Sequence, residues 1–68
     1  MATFFDIQKA TRGARDRMEN NTIGTRIKAG LVQVVMVHME KRRTVTVELS
    51  DFVPADRAVE ILNGMVPA

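Results

Sequence analysis

Two neighbouring stretches of the chain differ in a way that limits how it folds. Residues 44–50 alternate between apolar and polar side chains, which predicts a strand with one buried face and one solvated face. Residues 32–39 carry large apolar side chains at odd and even positions alike, and many are β-branched residues that favour strands. A strand that is apolar on both sides needs cover on both sides. The sequence therefore predicts a β-hairpin with more apolar surface than one layer of helices covers.

Segments with helical periodicity flank this hairpin. The first helix is predicted over residues 3–20, where Thr3 and Asp6 have the spacing of a capping box. The second is predicted over residues 54–63, because a proline suits its first turn and Gly64 follows its end. The expected fold class is α+β, in the order helix, β-hairpin, helix.

Residues 22–32 fit either a helical stripe or a strand. Gly24 and Gly30 argue against a helix, and the many β-branched residues that follow favour a strand. The preferred interpretation is one long strand that is bent or bulged at Gly30 and runs to about residue 39. A separate short strand near residues 23–28 is the alternative.

The turn between the two strands decides which side chains face the helices. Residues 40–43, Glu-Lys-Arg-Arg, contain no Gly or Asn, so a tight mirror-image turn is disfavoured and a longer loop is predicted. A three-residue turn would set Val35, Val37 and Met39 against the apolar side of the second strand. A loop of even length would leave these three on the opposite face instead.

Either register leaves about three large apolar side chains uncovered if both helices pack on one face, and burying each is worth roughly 1.5–3 kcal/mol. A 68-residue chain is one small domain, residues 1–68, with a marginal core and, without cysteine, no disulfide to support it. We therefore expect a homodimer whose antiparallel sheet continues across the two-fold axis. The predicted interface residues are Val32, Val34, Met36 and His38. The alternative is a monomer with one helix on each face of the sheet.

The sequence offers little to a catalytic interpretation. His38 is the only imidazole, and the adjacent strand places Glu48 and Thr46 near it as an ordinary polar trio without an activated nucleophile. The carboxylates form no pair typical of a hydrolase, and the glycines lack phosphate-loop spacing. We expect no enzyme activity, no cofactor and no metal site.

Basic residues are the other functional lead. The chain has 10 basic and 8 acidic residues, and the surplus lies in residues 1–30. Candidate nucleic-acid-binding residues fall on one flank of the first helix and at the hairpin tip: Lys9, Arg12, Arg15, Lys41, Arg42 and Arg43. On the helix, Asp16 and Glu19 stand at ion-pair spacing from Arg12 and Arg15 and dilute the positive field.

The preferred function is a small binding or regulatory module that acts through protein–protein contacts. We expect it to be cytoplasmic with no membrane partner, because no segment reads as a signal peptide or a bilayer span. Nucleic-acid binding, to DNA for example, is the alternative. The helix–hairpin–helix order is also similar in topology to small head–tail joining proteins of tailed phages, which implies a structural role in assembly.

Overall fold

The computed structural model describes residues 1–68 and contains two helices and three strands. The elements in chain order are α1 (Phe4–Met18), β1 (Ile23–Lys28), β2 (Leu31–Glu40), β3 (Arg43–Glu48) and α2 (Ala55–Asn63). The strands form one antiparallel sheet in the order β1-β2-β3, with β2 at its centre. The predicted α+β class and the order of helix, hairpin and helix are confirmed.

A tight turn separates β1 from β2. Lys28 pairs with Leu31, and the two residues between them, Ala29 and Gly30, have φ angles of 51° and 76°. Glycine adopts this left-handed conformation at little cost, so the chain reverses here instead of bending. The prediction of one long bent strand is wrong, and the alternative of a short strand over residues 23–28 is confirmed.

A second tight turn joins β2 to β3. Glu40 pairs with Arg43, and the residues between them, Lys41 and Arg42, have φ angles of 49° and 65°. This is the mirror-image geometry that matches the twist of the flanking strands. The predicted longer loop is therefore wrong. A residue other than glycine costs roughly 1–2 kcal/mol in the left-handed region, so the strand pairing must outweigh the preference of the turn.

Side-chain and backbone caps fix the ends of α1. The Thr3 hydroxyl accepts a hydrogen bond from the Asp6 backbone N–H, and the Thr3 N–H donates to Asp6 Oδ2 at 2.8 Å, which completes the predicted capping box. These contacts hold the pKa of the Asp6 carboxyl below its usual range, the backbone hydrogen bond from Thr3 being the largest cause. Glu19 ends the helix in a left-handed conformation.

Both helices pack on the same face of the sheet. α1 lies against β1, α2 lies against β2, and the helices contact each other. The alternative of one helix on each face is therefore wrong. The core between them consists of eight buried residues: Ile7, Ala10, Ala14, Ile23, Val32, Val34, Ala58 and Leu62. Neither helix combines the length and the apolar character that crossing a bilayer requires.

After β3 the chain stays attached to β2 but bulges away from it. Leu49 N–H donates to the Val34 carbonyl at 2.8 Å, and Val53 then pairs with Val32. Between these two contacts, Ser50 Oγ accepts from the Val34 N–H at 3.0 Å and replaces the missing backbone partner. The root of the hairpin is thereby fixed to the core.

Candidate functional site

The outer half of the β2–β3 hairpin extends past the rest of the molecule. β1 follows β2 as far as the pair Ile23–Met36, and the Val37 N–H donates to the Thr22 carbonyl at 3.0 Å. Beyond that point β2 has only β3 beside it, and neither helix approaches β3. We call residues 38–45 the hairpin arm. Its tip stands about 13 Å beyond Val37, at roughly 3.3 Å per residue.

One face of the hairpin carries an apolar surface that the helices leave uncovered. Met36 pairs with Val47 and His38 with Val45, so these side chains share the face that holds Val34. We call this surface the β3 patch, and its residues are Met36, His38, Val45, Val47 and Leu49. Val47 and Leu49 are 37% and 40% exposed, and the other three are half-buried. Met36 and Val45 are not among the partly buried residues that pack against the core cluster.

His38 lies within the β3 patch in a largely apolar setting. Its Nε2 is 3.6 Å from Glu40 Oε2, and its Nδ1 is buried without a hydrogen-bond partner. Glu48 lies on the opposite face of the sheet, where it pairs with Arg26 at 3.9 Å. The predicted trio of His38, Glu48 and Thr46 is wrong, because the two-residue turn places the histidine and the other two on different faces.

The four predicted interface residues are divided between the core and the surface. Val32 and Val34 are 2% and 0% exposed and belong to the protein's own core, so they offer no surface to a second copy. This part of the prediction is corrected, because α2 covers their half of β2. Met36 and His38 remain half-exposed in the β3 patch.

The contribution of β3 to this surface is not apparent from the sequence. Val45, Val47 and Leu49 alternate with polar residues, and such alternation predicts a face that the helices cover. The short length of the second helix is the feature of the sequence that indicates their exposure. α2 has 9 residues, which at 1.5 Å per residue is too short to follow the length of a ten-residue strand.

The face away from the helices is less exposed than its composition suggests. Val35, Val37 and Met39 lie there, as expected for a loop of even length. Val35 is nevertheless only 3% exposed, whereas Met39 is 67% exposed. Arg26 on β1 contacts Glu48 on β3 and so spans the central strand. Polar side chains of the same chain therefore supply part of the cover that was expected from a second copy.

The outer edge of β3 has no neighbouring strand. Because Leu49 N–H donates to Val34, the antiparallel alternation directs the backbone groups of Val47 and Val45 toward β2. The N–H and C=O groups of Thr46 and its alternate neighbours therefore face outward. An exposed edge of this kind is a template for pairing with another strand.

The predicted basic flank of α1 is not a free set of cations. The Arg15 Nε donates to the Ile23 carbonyl at 2.6 Å, which ties α1 to β1. Lys9 Nζ lies 5.6 Å from the centre of the Phe5 ring. Arg12 is exposed beside an open groove of about 410 Å³ between α1 and β1. The ion pairs predicted from Arg12 to Asp16 and from Arg15 to Glu19 do not form.

Sequence reasoning also missed the role of Arg17. Its Nη2 donates to the Leu62 carbonyl at 2.7 Å and its Nε to the Met65 carbonyl at 3.0 Å. The guanidinium thus caps the carbonyl end of α2, where a positive charge also suits the helix dipole. No pattern of spacing within α1 indicates this contact, since its acceptors lie at the other end of the chain.

The hairpin tip keeps its charges free. Lys41, Arg42 and Arg43 are exposed, and none forms an ion pair. Glu40 is the adjacent carboxylate, and it faces His38. The structure thus brings three of the six predicted basic residues together at one end of the molecule and leaves the three on α1 in different surroundings.

No protein-family model, curated protein or solved structure matches this chain. No group of three or more His, Asp or Glu side chains is close enough together to hold a metal ion.

Proposed function

We propose that this chain is a small non-enzymatic binding module that acts through protein–protein contacts as a homodimer joined at β3. The observation that carries the proposal is the free edge of β3 beside the β3 patch, which neither helix covers. Unpaired backbone groups and apolar side chains at one edge are what strand addition from a second chain requires.

The sequence of β3 suits pairing with itself. In an antiparallel pairing centred on Thr46, the outward backbone groups of Thr46 meet those of the same residue in the second copy. Val45 then stands opposite the partner subunit's Val47, so each valine gains an apolar cross-strand neighbour. The sheet grows from three strands to six, with the helices of both copies on the same face.

Two-fold symmetry strengthens this arrangement because every contact occurs twice. Val47 and Leu49 are 37% and 40% exposed in a single copy, and this remaining surface lies next to the edge that pairs. Thr44 and Glu48 would stand opposite each other across the axis, which brings no like charges together.

Sedimentation equilibrium of the full chain at micromolar concentration tests the proposal. We expect a dimer for the wild type and a monomer for Val47→Lys, because a lysine on the edge strand opposes pairing. Ile27→Lys is the matched control: Ile27 is 54% exposed on β1, the opposite edge of the sheet. This variant should remain a dimer. A monomeric wild type refutes the proposal, and dissociation caused only by Ile27→Lys moves the interface to β1 and refutes its assignment to β3.

A further inference from the structure

The two hairpin turns have the same backbone geometry but unequal sequences. Both place two consecutive residues at positive φ. The β1–β2 turn uses Ala29 and Gly30, whereas the tip uses Lys41 and Arg42, neither of which favours that conformation. Asn-Gly is the pair that this turn prefers. The chain therefore keeps two cations at positions where an uncharged pair fits the backbone better, and backbone strain of this kind concentrates at functional sites.

The charges at the tip are available to a ligand. Lys41, Arg42 and Arg43 are consecutive and exposed, and no carboxylate pairs with them. The single adjacent acid, Glu40, has its Oε2 directed at His38 Nε2. Because the arm projects about 13 Å beyond the last contact with β1, the long basic side chains reach past the body of the protein.

We infer that the tip of the hairpin arm binds the phosphate backbone of double-stranded nucleic acid, a function that goes beyond the proposed dimerisation. A two-stranded ribbon fits the major groove of a duplex, which is about 12 Å wide. Lysine and arginine side chains at its end then reach the phosphates on the groove walls, where they fix position without reading sequence. No aromatic residue lies at the tip, so a stacking platform for single strands is absent.

The arm alone carries this inference, and the basic flank of α1 does not. Arg15 holds the Ile23 carbonyl and Lys9 lies against Phe5, so Arg12 is the one exposed cation of that flank without either kind of contact. The tip instead presents three consecutive free cations, and we therefore expect the binding to be centred there.

The decisive variant is the double substitution K41N/R42G, because it separates stability from binding. It supplies the preferred turn sequence, so the midpoint of thermal unfolding should rise by about 4–8 °C. It also removes two phosphate contacts, so affinity for a fluorescent DNA duplex at about 50 mM salt should fall on the order of 10- to 100-fold. The slope of log affinity against log salt should become shallower by about 2. Fluorescence anisotropy of the labelled duplex measures the affinity and its dependence on salt.

Three controls make the result specific to the tip. K28N/R57Q removes the same net charge at other sites and should leave affinity within about twofold. Ala29→Asn improves the other turn, so it should raise the midpoint without changing affinity. The charge reversal R42E/R43E keeps Lys41 and should nevertheless abolish binding, because it places two negative charges at the tip.

Several outcomes overturn the inference. They are a wild type that does not bind the duplex at low salt, a K41N/R42G variant that binds as tightly as the wild type, and a loss in K28N/R57Q equal to that in K41N/R42G. Binding to vesicles of anionic phospholipid without binding to the duplex would also refute it, since the ligand of the tip would then be a membrane surface.

Discussion

The two ends of β2 belong to one strand but have different surroundings. Residues 31–36 pair with β1 in the part of the molecule that α2 covers, and they include Val32 and Val34 at the centre of the core. Residues 37–40 continue into the hairpin arm, where no side chain is fully buried. A run of apolar β-branched residues therefore predicts a strand well, but it does not reveal which part of that strand the helices cover.

The largest expected difference between the two regions concerns truncated side chains. Leu62→Ala empties a fully buried position in the body and should lower the free energy of unfolding by about 2–5 kcal/mol. Val45→Ala removes a half-buried side chain from the arm and should cost less than about 1 kcal/mol. Urea unfolding of both variants, compared at the same protein concentration, measures the contrast. Equal losses would show that the arm belongs to the cooperative core.

A smaller effect is expected where α1 is anchored to α2. Arg17→Met removes the two hydrogen bonds to the Leu62 and Met65 carbonyls and should cost about 1–3 kcal/mol. Arg57→Met is the matched control on α2, because the Arg57–Glu60 pair is exposed and worth only about 0.3–0.5 kcal/mol. Chemical denaturation gives both values. If the two substitutions had the same effect, Arg17 would be a solvated surface residue and the body would lack this cap.

The smallest expected effect is a pH dependence at the N-terminus of α1. The contacts from Thr3 lower the pKa of Asp6, so its carboxylate stabilises the folded state above its usual pKa of 3.8. That contribution is lost as the pH falls through the lowered pKa. Asp6→Asn should therefore flatten the decline in the urea midpoint between about pH 6 and about pH 3. Parallel curves for Asp6→Asn and the wild type would show that the capping box does not contribute through ionisation.

The sequence allowed the local features of the fold to be predicted, because these depend on neighbouring residues. The capping box of Thr3 and Asp6 and the alternation of β3 each have a signature within a few residues. The turn at Lys41 and Arg42 was mispredicted because its length depends on the pairing of the two strands and not on the residues of the turn itself. Pairing Met36 with Val47 sets the register of the hairpin, and that register accommodates only two residues in the turn.

The candidate site was predictable only in part for the same reason. The cations of the tip could be identified because they are consecutive in the sequence and lie at a turn. The roles of Arg15 and Arg17 could not be predicted, because their acceptors at Ile23 and Leu62 are brought to them only by the tertiary fold. Val32 and Val34 were assigned to an interface because their pattern does not distinguish cover by a helix from cover by a second chain.

The continuity of β2 has a consequence for anything that contacts the arm. Residues 31–40 form one strand without glycine or proline, and the strand passes from the core to the turn without a break. No glycine or proline between the core and the turn offers a bend, so the direction of the arm follows from the packing of Val32 and Val34 at its base. The turn is then already oriented in the free protein, so binding of a ligand at the tip costs little additional conformational entropy. Because the strand is continuous, a small change in the packing of the core would also displace the tip.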